Sequence, residues 1–77
     1  MRVVVATVDM VHYDGEAVSL TAPGSEGELT VLGGHMPLVT LLKQGTVVVR
    51  TADSSEQSFP IMGGVLEVRH DGATVLL

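Results

Sequence analysis

Three histidines, nine carboxylates and three turn serines are the residues of this 77-residue chain that could do more than pack. A nucleophilic hydrolase would set Ser25, Ser54 or Ser55 beside a histidine that an acid orients. Nothing in the spacing of His12, His35 and His70 brings such a set together, and there is no nucleophile-elbow motif. A metal site would want histidines at i,i+2 on a strand or i,i+4 on a helix, and these do not recur so. The Gly33-Gly34 pair has the look of a phosphate loop, but neither the lysine nor the helix start that a phosphate needs follows it. A bulge or tight turn is the better reading of the pair. Glu26 and Glu28, on either side of Gly27, are either a solvated turn or, for Glu28, a strand-edge carboxylate that meets a basic partner. His35, before Met36-Pro37, is a cap, a hydrogen-bonding spacer or an interface residue on a loop, where binding residues concentrate. The chain is thus expected to be non-catalytic, with no cofactor and no metal.

Composition narrows the field. One domain of this length buries about 60% of its unfolded surface, enough for a thin two-layer core. With no cysteine there is no disulfide or thiolate site. Four Lys and Arg against nine Asp and Glu give a net charge of -5, which argues against nucleic acid as a partner. Apolar residues make up 45%, much of it valine, with one Phe, one Tyr and no Trp. That favours strands and disfavours base or sugar stacking and a small-molecule pocket. No apolar run is long enough to cross a membrane as a helix, and Met1-Arg2 lead into Val3 without the pattern of a signal peptide.

The elements that would position these residues are short strands. Residues 3–8 are apolar on both faces, as in a central strand or one covered by something else. Asp14-Gly15 predicts a hairpin turn, and 16–22 an alternating strand with Val18, Leu20 and Ala22 on one face. Pro23-Gly24 ends it, and Ser25 to Glu28 form a polar turn. Leu29–Leu32 is a strand halted by Gly33-Gly34. Leu38–Leu42 is the only run that would suit a single helical turn, and it suits a strand equally. Residues 46–51 form a strand with Val47 and Val49 alike, and 57–62 return with Pro60 at an edge or bulge. Gly63-Gly64 break the chain, 65–70 alternate with Leu66 and Val68 inward, Asp71-Gly72 turn, and 73–77 close. The expected fold is all-β, a small sandwich or flattened barrel of about 8–10 short, mostly antiparallel strands.

Several ordered blocks together resemble the amino-terminal β domain of the epsilon subunit of rotary ATP synthases. They are Ala22 to Gly45 (APGSEGELTVLGGHMPLVTLLKQG), Met62 to Val68 (MGGVLEV), Asp14-Gly15, and the closing Ala73-Thr74-Val75-Leu76. Gly33 stands where the family usually has proline. The resemblance implies one epsilon-type β domain over 1–77, with the family's carboxy-terminal helical hairpin absent, so that hairpin's inhibitory role is not carried over. It implies a non-catalytic central-stalk subunit that packs on the gamma subunit and the c-ring. Such a subunit is peripheral to the cytoplasmic face of a bacterial energy-transducing membrane. By the same resemblance Glu28 and His35 face the c-ring, and Thr7 and Asp9 lie near gamma. Gly24, Gly27, Gly33, Gly34, Gly63 and Gly64 shape turns. The segment from Gly24 to Gly45 is then expected to be the end of the sandwich turned toward the ring. One outer face is expected to carry an exposed apolar patch, because Val3–Val8 and Val47–Val49 exceed what so thin a core can hold. A free-standing β-sandwich interaction module is the alternative.

Overall fold

The computed structural model describes residues 1–77 and contains nine strands. In chain order they are β1 (Arg2–Ala6), β2 (Val11–Glu16), β3 (Ser19–Gly24), β4 (Gly27–Leu32), β5 (Leu38–Leu42), β6 (Gly45–Arg50), β7 (Glu56–Ile61), β8 (Gly64–Arg69) and β9 (Gly72–Leu76). They form one sheet in the order β2-β1-β9-β8-β5-β3-β6-β7, with β4 on the other edge of β3. All pairs are antiparallel except β1 with β9. The sheet is nearly cut in two between β5 and β3, which share only Gly24 opposite Leu42. At that corner it curls, so that β2-β1-β9-β8-β5 faces β4-β3-β6-β7.

The core lies between these halves. Val3, Val5, Leu66, Val68, Ala73 and Val75 come from one half, and Leu20, Ala22, Val31, Val47, Val49 and Ile61 from the other. Period-two alternation supplies this face directly: each is followed by a residue that points out. β1 is central, paired on both sides, the first of the two arrangements its two-sided apolarity allows. β7 is an edge strand, and so tolerates Pro60. Leu38–Leu42 is a strand, because β8 pairs with it along its whole length.

Several local expectations are corrected. β1 stops at Ala6, where Thr7 N–H bonds to Met10 O and turns the chain; Val8 is fully exposed at 102%. Asp14-Gly15 is no turn but lies within β2, opposite Val4 and Val3. Pairing with β1 and the Arg2 bond to Asp14 (2.7 Å) hold that dipeptide extended, so tertiary context overrides its turn preference. The strand read across 16–22 breaks at Ala17-Val18, which buries Ala17 and turns Val18 outward while Leu20 and Ala22 face the core. Pro23-Gly24 belongs to β3, where the backbone of residue 23 faces β5 and needs no N–H of its own. Val47 and Val49 are fully buried, so they do not contribute to an exposed patch.

Candidate functional site

The two ends of the molecule differ in chemistry. At one end lie the 7–10 loop, the Ser25-Glu26 turn and the 43–44 connection. Lys43 N–H on Pro23 O (2.9 Å) and Ser25 N–H on Leu41 O (2.9 Å) tie the ends of β3 and β5 together there, and Leu77 N–H on Ala6 O (2.9 Å) ties the last residue to the end of β1. At the opposite end lie the 33–37 loop and the His70-Asp71 turn, joined by Gly34 N–H on His70 O (3.3 Å). The segment from Gly24 to Gly45 therefore does not form one end of the sandwich. It runs from the first end along β4 to the second, and back along β5.

Glu28 and His35 are consequently not brought together. Glu28 is exposed near the start of β4, opposite Pro23. Four residue steps of strand, about 13 Å, separate it from Leu32, and His35 lies beyond that. His35 is half-buried; its N–H bonds to Leu32 O (3.1 Å), and its Nδ1 lies 2.7 Å from Met36 O. A carbonyl only accepts, so Nδ1 carries the proton and donates, which leaves Nε2 as an acceptor on the neutral ring. Thr7 and Asp9 sit in the 7–10 loop at the Glu28 end. Thr7 Oγ1 donates to Asp9 Oδ1 (3.2 Å) and approaches Met10 O (3.3 Å), so both side chains also brace their own turn.

Of the six glycines read as turn-formers, Gly34 has φ of +80°, a left-handed conformation that glycine takes without cost. Gly24 is fixed by crowding instead, since a Cβ there would lie 2.7 Å from Gly27 O and from Leu29 Cδ2. Gly27, Gly63 and Gly64 also have positive φ, whereas Gly33 does not, and a Cβ on Gly33 would meet open space.

The register shows what sequence spacing could not. Outward side chains line up across five strands as Val11–Ala6–Leu76–Val65–Leu41. Val11, Leu76 and Leu41 are 61%, 53% and 64% exposed, and the stripe runs beside the Thr7–Met10 loop, where Val8 and Met10 are also exposed. The outer face of the other half is mostly polar, with Thr21 and Thr30 hydroxyls 3.1 Å apart and an Arg50–Glu56 ion pair. One outer face thus carries the expected apolar patch, built from residues other than the Val47–Val49 run. Each of these residues reads alone as an ordinary strand position; only the pairing of distant strands joins them.

Charge is distributed unevenly too. Arg2, Arg50 and Arg69 are each paired with carboxylates. Asp9, Glu26 and Glu28, at the end that carries the apolar stripe, have no cation within ion-pair distance. No group of three or more His, Asp and Glu converges on a point that could hold a metal. No helix of the structure is long and apolar enough to cross a membrane.

The profile of the family described as "ATP synthase, Delta/Epsilon chain, beta-sandwich domain" matches residues 1–77. An ATP synthase epsilon chain of Psychrobacter cryohalolentis is 49% identical over 75 residues, covering 97% of this chain and 53% of that protein. One from Herminiimonas arsenicoxydans is 42% identical over 77 residues, covering 99% and 55%. The chain spans about half the length of the curated relatives it matches. Among solved structures, a chain of the Euglena gracilis mitochondrial ATP synthase OSCP/F1/c-ring assembly superposes with a TM-score of 0.89. Its identity is 22%, and the match covers 96% of this chain and 48% of that one. A chain from the Tetrahymena thermophila mitochondrial ATP synthase central stalk and c-ring gives 0.77 at 20% identity, over 97% and 60%. At these identities the structural likeness speaks for the fold.

Proposed function

The chain belongs to the β-sandwich domain family of ATP synthase delta and epsilon chains, and on that basis we propose that it serves as a non-catalytic central-stalk component of a rotary ATP synthase. In this reading it packs on the gamma subunit and the c-ring and helps couple ion-driven rotation to ATP synthesis or hydrolysis. It is peripheral to the cytoplasmic face of a bacterial membrane through that complex.

The observation that carries this reading is the apolar stripe Val11–Ala6–Leu76–Val65–Leu41. A permanent subunit contact is more apolar than free surface, and Val11, Leu76 and Leu41 of the stripe are exposed in the isolated chain. It adjoins Thr7 and Asp9, so we assign gamma to this face, with those two residues at its rim. We assign the c-ring to the open edge of β4 and the loop that follows. Glu28 at one end of that edge would meet basic or amide groups of the ring loops. His35 at the other would accept a hydrogen bond through Nε2. A ring surface lying along β4 reaches both, although the two residues are not neighbours.

Co-purification from the native membrane with gamma and the c-ring tests the proposal. Stoichiometric retention, weakened by Leu41→Glu, is the expected result. A folded protein that never associates with the synthase would be a free-standing interaction module and would sink it.

A further inference from the structure

The β4 edge is half used. β4 pairs with β3 alone. Lys43 N–H donates to Pro23 O, so the backbone of residue 23 turns toward β5 and away from β4. Bonding direction alternates along an antiparallel strand, so β3 reaches β4 through Leu20, Ala22 and Gly24, opposite Val31, Leu29 and Gly27. The N–H and C=O groups of Glu28 and Thr30 therefore point to the open side. The 3.1 Å approach of the Thr21 and Thr30 hydroxyls fits this, because facing side chains come closer in a non-bonded pair.

Open edges are commonly blocked by proline, lysine or a bulge. β7 has Pro60, and β2 has a register shift at Val5/Ala6 that leaves His12 without a partner. β4, GELTVL, has none of these, and its register with β3 is unbroken. Its charges are acidic only: Glu28 on the strand and Glu26 in the turn before it, both without an ion-pair partner.

We infer that β4 accepts an added antiparallel strand from an extended segment that places a Lys or Arg opposite Glu28. Backbone bonds to Glu28 and Thr30 supply the docking, and the cation selects the register. The residue facing Leu29 is apolar, because Leu29 lies half-buried against the core. The residue facing Thr30 is threonine or valine. This rests on the reading that sets a partner along the open edge of β4 and deepens it, naming an extended basic segment as what that edge takes; the peptide test reads the isolated chain, so its outcome is distinguishable from loss of the ring contact.

The test is amide NMR and hydrogen exchange on the labelled chain. The probe is a capped hexapeptide of alternating threonine and valine ending in lysine and glycine. Slowed exchange at Glu28 and Thr30 is expected, with shifts confined to β4 and its neighbours. Affinity should fall about two- to five-fold in Glu28→Gln, and at least as much when the peptide lysine is replaced by glutamate. Thr30→Pro deletes an N–H on the open side without touching the ladder to β3, and should abolish binding. If that variant does not fold, the Glu28→Gln and peptide comparisons still decide. Unchanged exchange at saturating peptide, shifts on β2 or β7, or equal binding by both peptides would overturn the inference. So would self-association through β4, which would make a second copy the occupant.

Discussion

Tyr13 on β2 meets Phe59 on β7 edge to face, with ring centroids 6.4 Å apart and planes at 63°. β2 and β7 are the two terminal strands of the sheet path, so this contact joins the ends of the curl where no ladder does. They are the only two aromatic residues in the chain. Tyr13 OH also donates to Glu16 O (2.8 Å), which fixes the ring. Phe59→Leu should cost about 0.5–1.5 kcal/mol through the lost aromatic pair. Tyr13→Phe should cost about 0.5–1.5 kcal/mol through the lost hydrogen bond. A double-mutant cycle of Phe59→Leu with Tyr13→Leu, followed by urea unfolding, should give a coupling of at least about 0.5 kcal/mol. Additive effects would mean that the ends of the sheet do not support each other.

Gly33 and Gly34 are adjacent and should respond oppositely to alanine. Gly34→Ala forces a side chain into φ of +80° and should destabilise by about 1–2 kcal/mol. Gly33→Ala has open space and no positive φ, and should stabilise by about 0.4–1 kcal/mol by restricting the unfolded chain. Thermal unfolding of the two variants reads both signs, and equal effects would contradict the assigned backbone.

Much of the fold was legible because period-two alternation is enforced by burial on one side. Leu66 and Val68 faced the core as read, and Val47 and Val49 share one face as read, though that face is the core and not the surplus expected outside it. What was not legible depends on partners distant in sequence. Asp14-Gly15 has the composition of a turn, and only β1 beside it makes it a strand. Glu28 and His35 are seven apart with the strand read over Leu29–Leu32 between them, and it is the unbroken ladder to β3 that holds this strand at full length and sets the two toward opposite ends. The apolar stripe was foreseen as a surplus of apolar residues, but its members were not. Val11, Leu76 and Leu41 are brought onto one stripe only through four separate pairings.

Stability should carry a small acid-sensitive contribution from the 51–55 turn. Asp53 accepts from Thr51 Oγ1 (2.5 Å) and from Ser55 N–H (3.2 Å). The Thr51 bond foremost, then the Ser55 bonds, lower its pKa below the ordinary 3.8. A depressed carboxylate stabilises the fold above its unfolded pKa, and that contribution disappears as pH falls through the folded pKa. Asp53→Asn should therefore differ most from the parent above about pH 5 and converge with it in stronger acid. Chemical denaturation across that range checks the sign, and a difference that grows on acidification would refute it.

Glu28 and His35 should act independently in ring binding. Glu28→Arg reverses a charge and should weaken binding with a marked salt dependence. His35→Phe removes the Nε2 acceptor and should show little salt dependence. Because the two lie toward opposite ends of the molecule, their effects should add within about 0.5 kcal/mol. Binding of purified variants to c-ring in detergent, at two salt concentrations, measures all three. Strong coupling would require the residues to share one contact, which the length of β4 prevents.

The apolar stripe separates stability from assembly. Leu41 points away from the core, so Leu41→Glu should change unfolding free energy by no more than about 0.5 kcal/mol. Leu42, its neighbour, is buried in the core cluster, and Leu42→Ala should cost about 2–5 kcal/mol. For the proposed association with gamma the order should reverse. Leu41→Glu places a charge in an apolar contact and should reduce affinity at least about tenfold, a loss of about 1.4 kcal/mol or more. Leu42→Ala should bind normally once temperature is lowered to keep it folded. If Leu41→Glu bound gamma like the parent, the stripe would not be the gamma-facing surface.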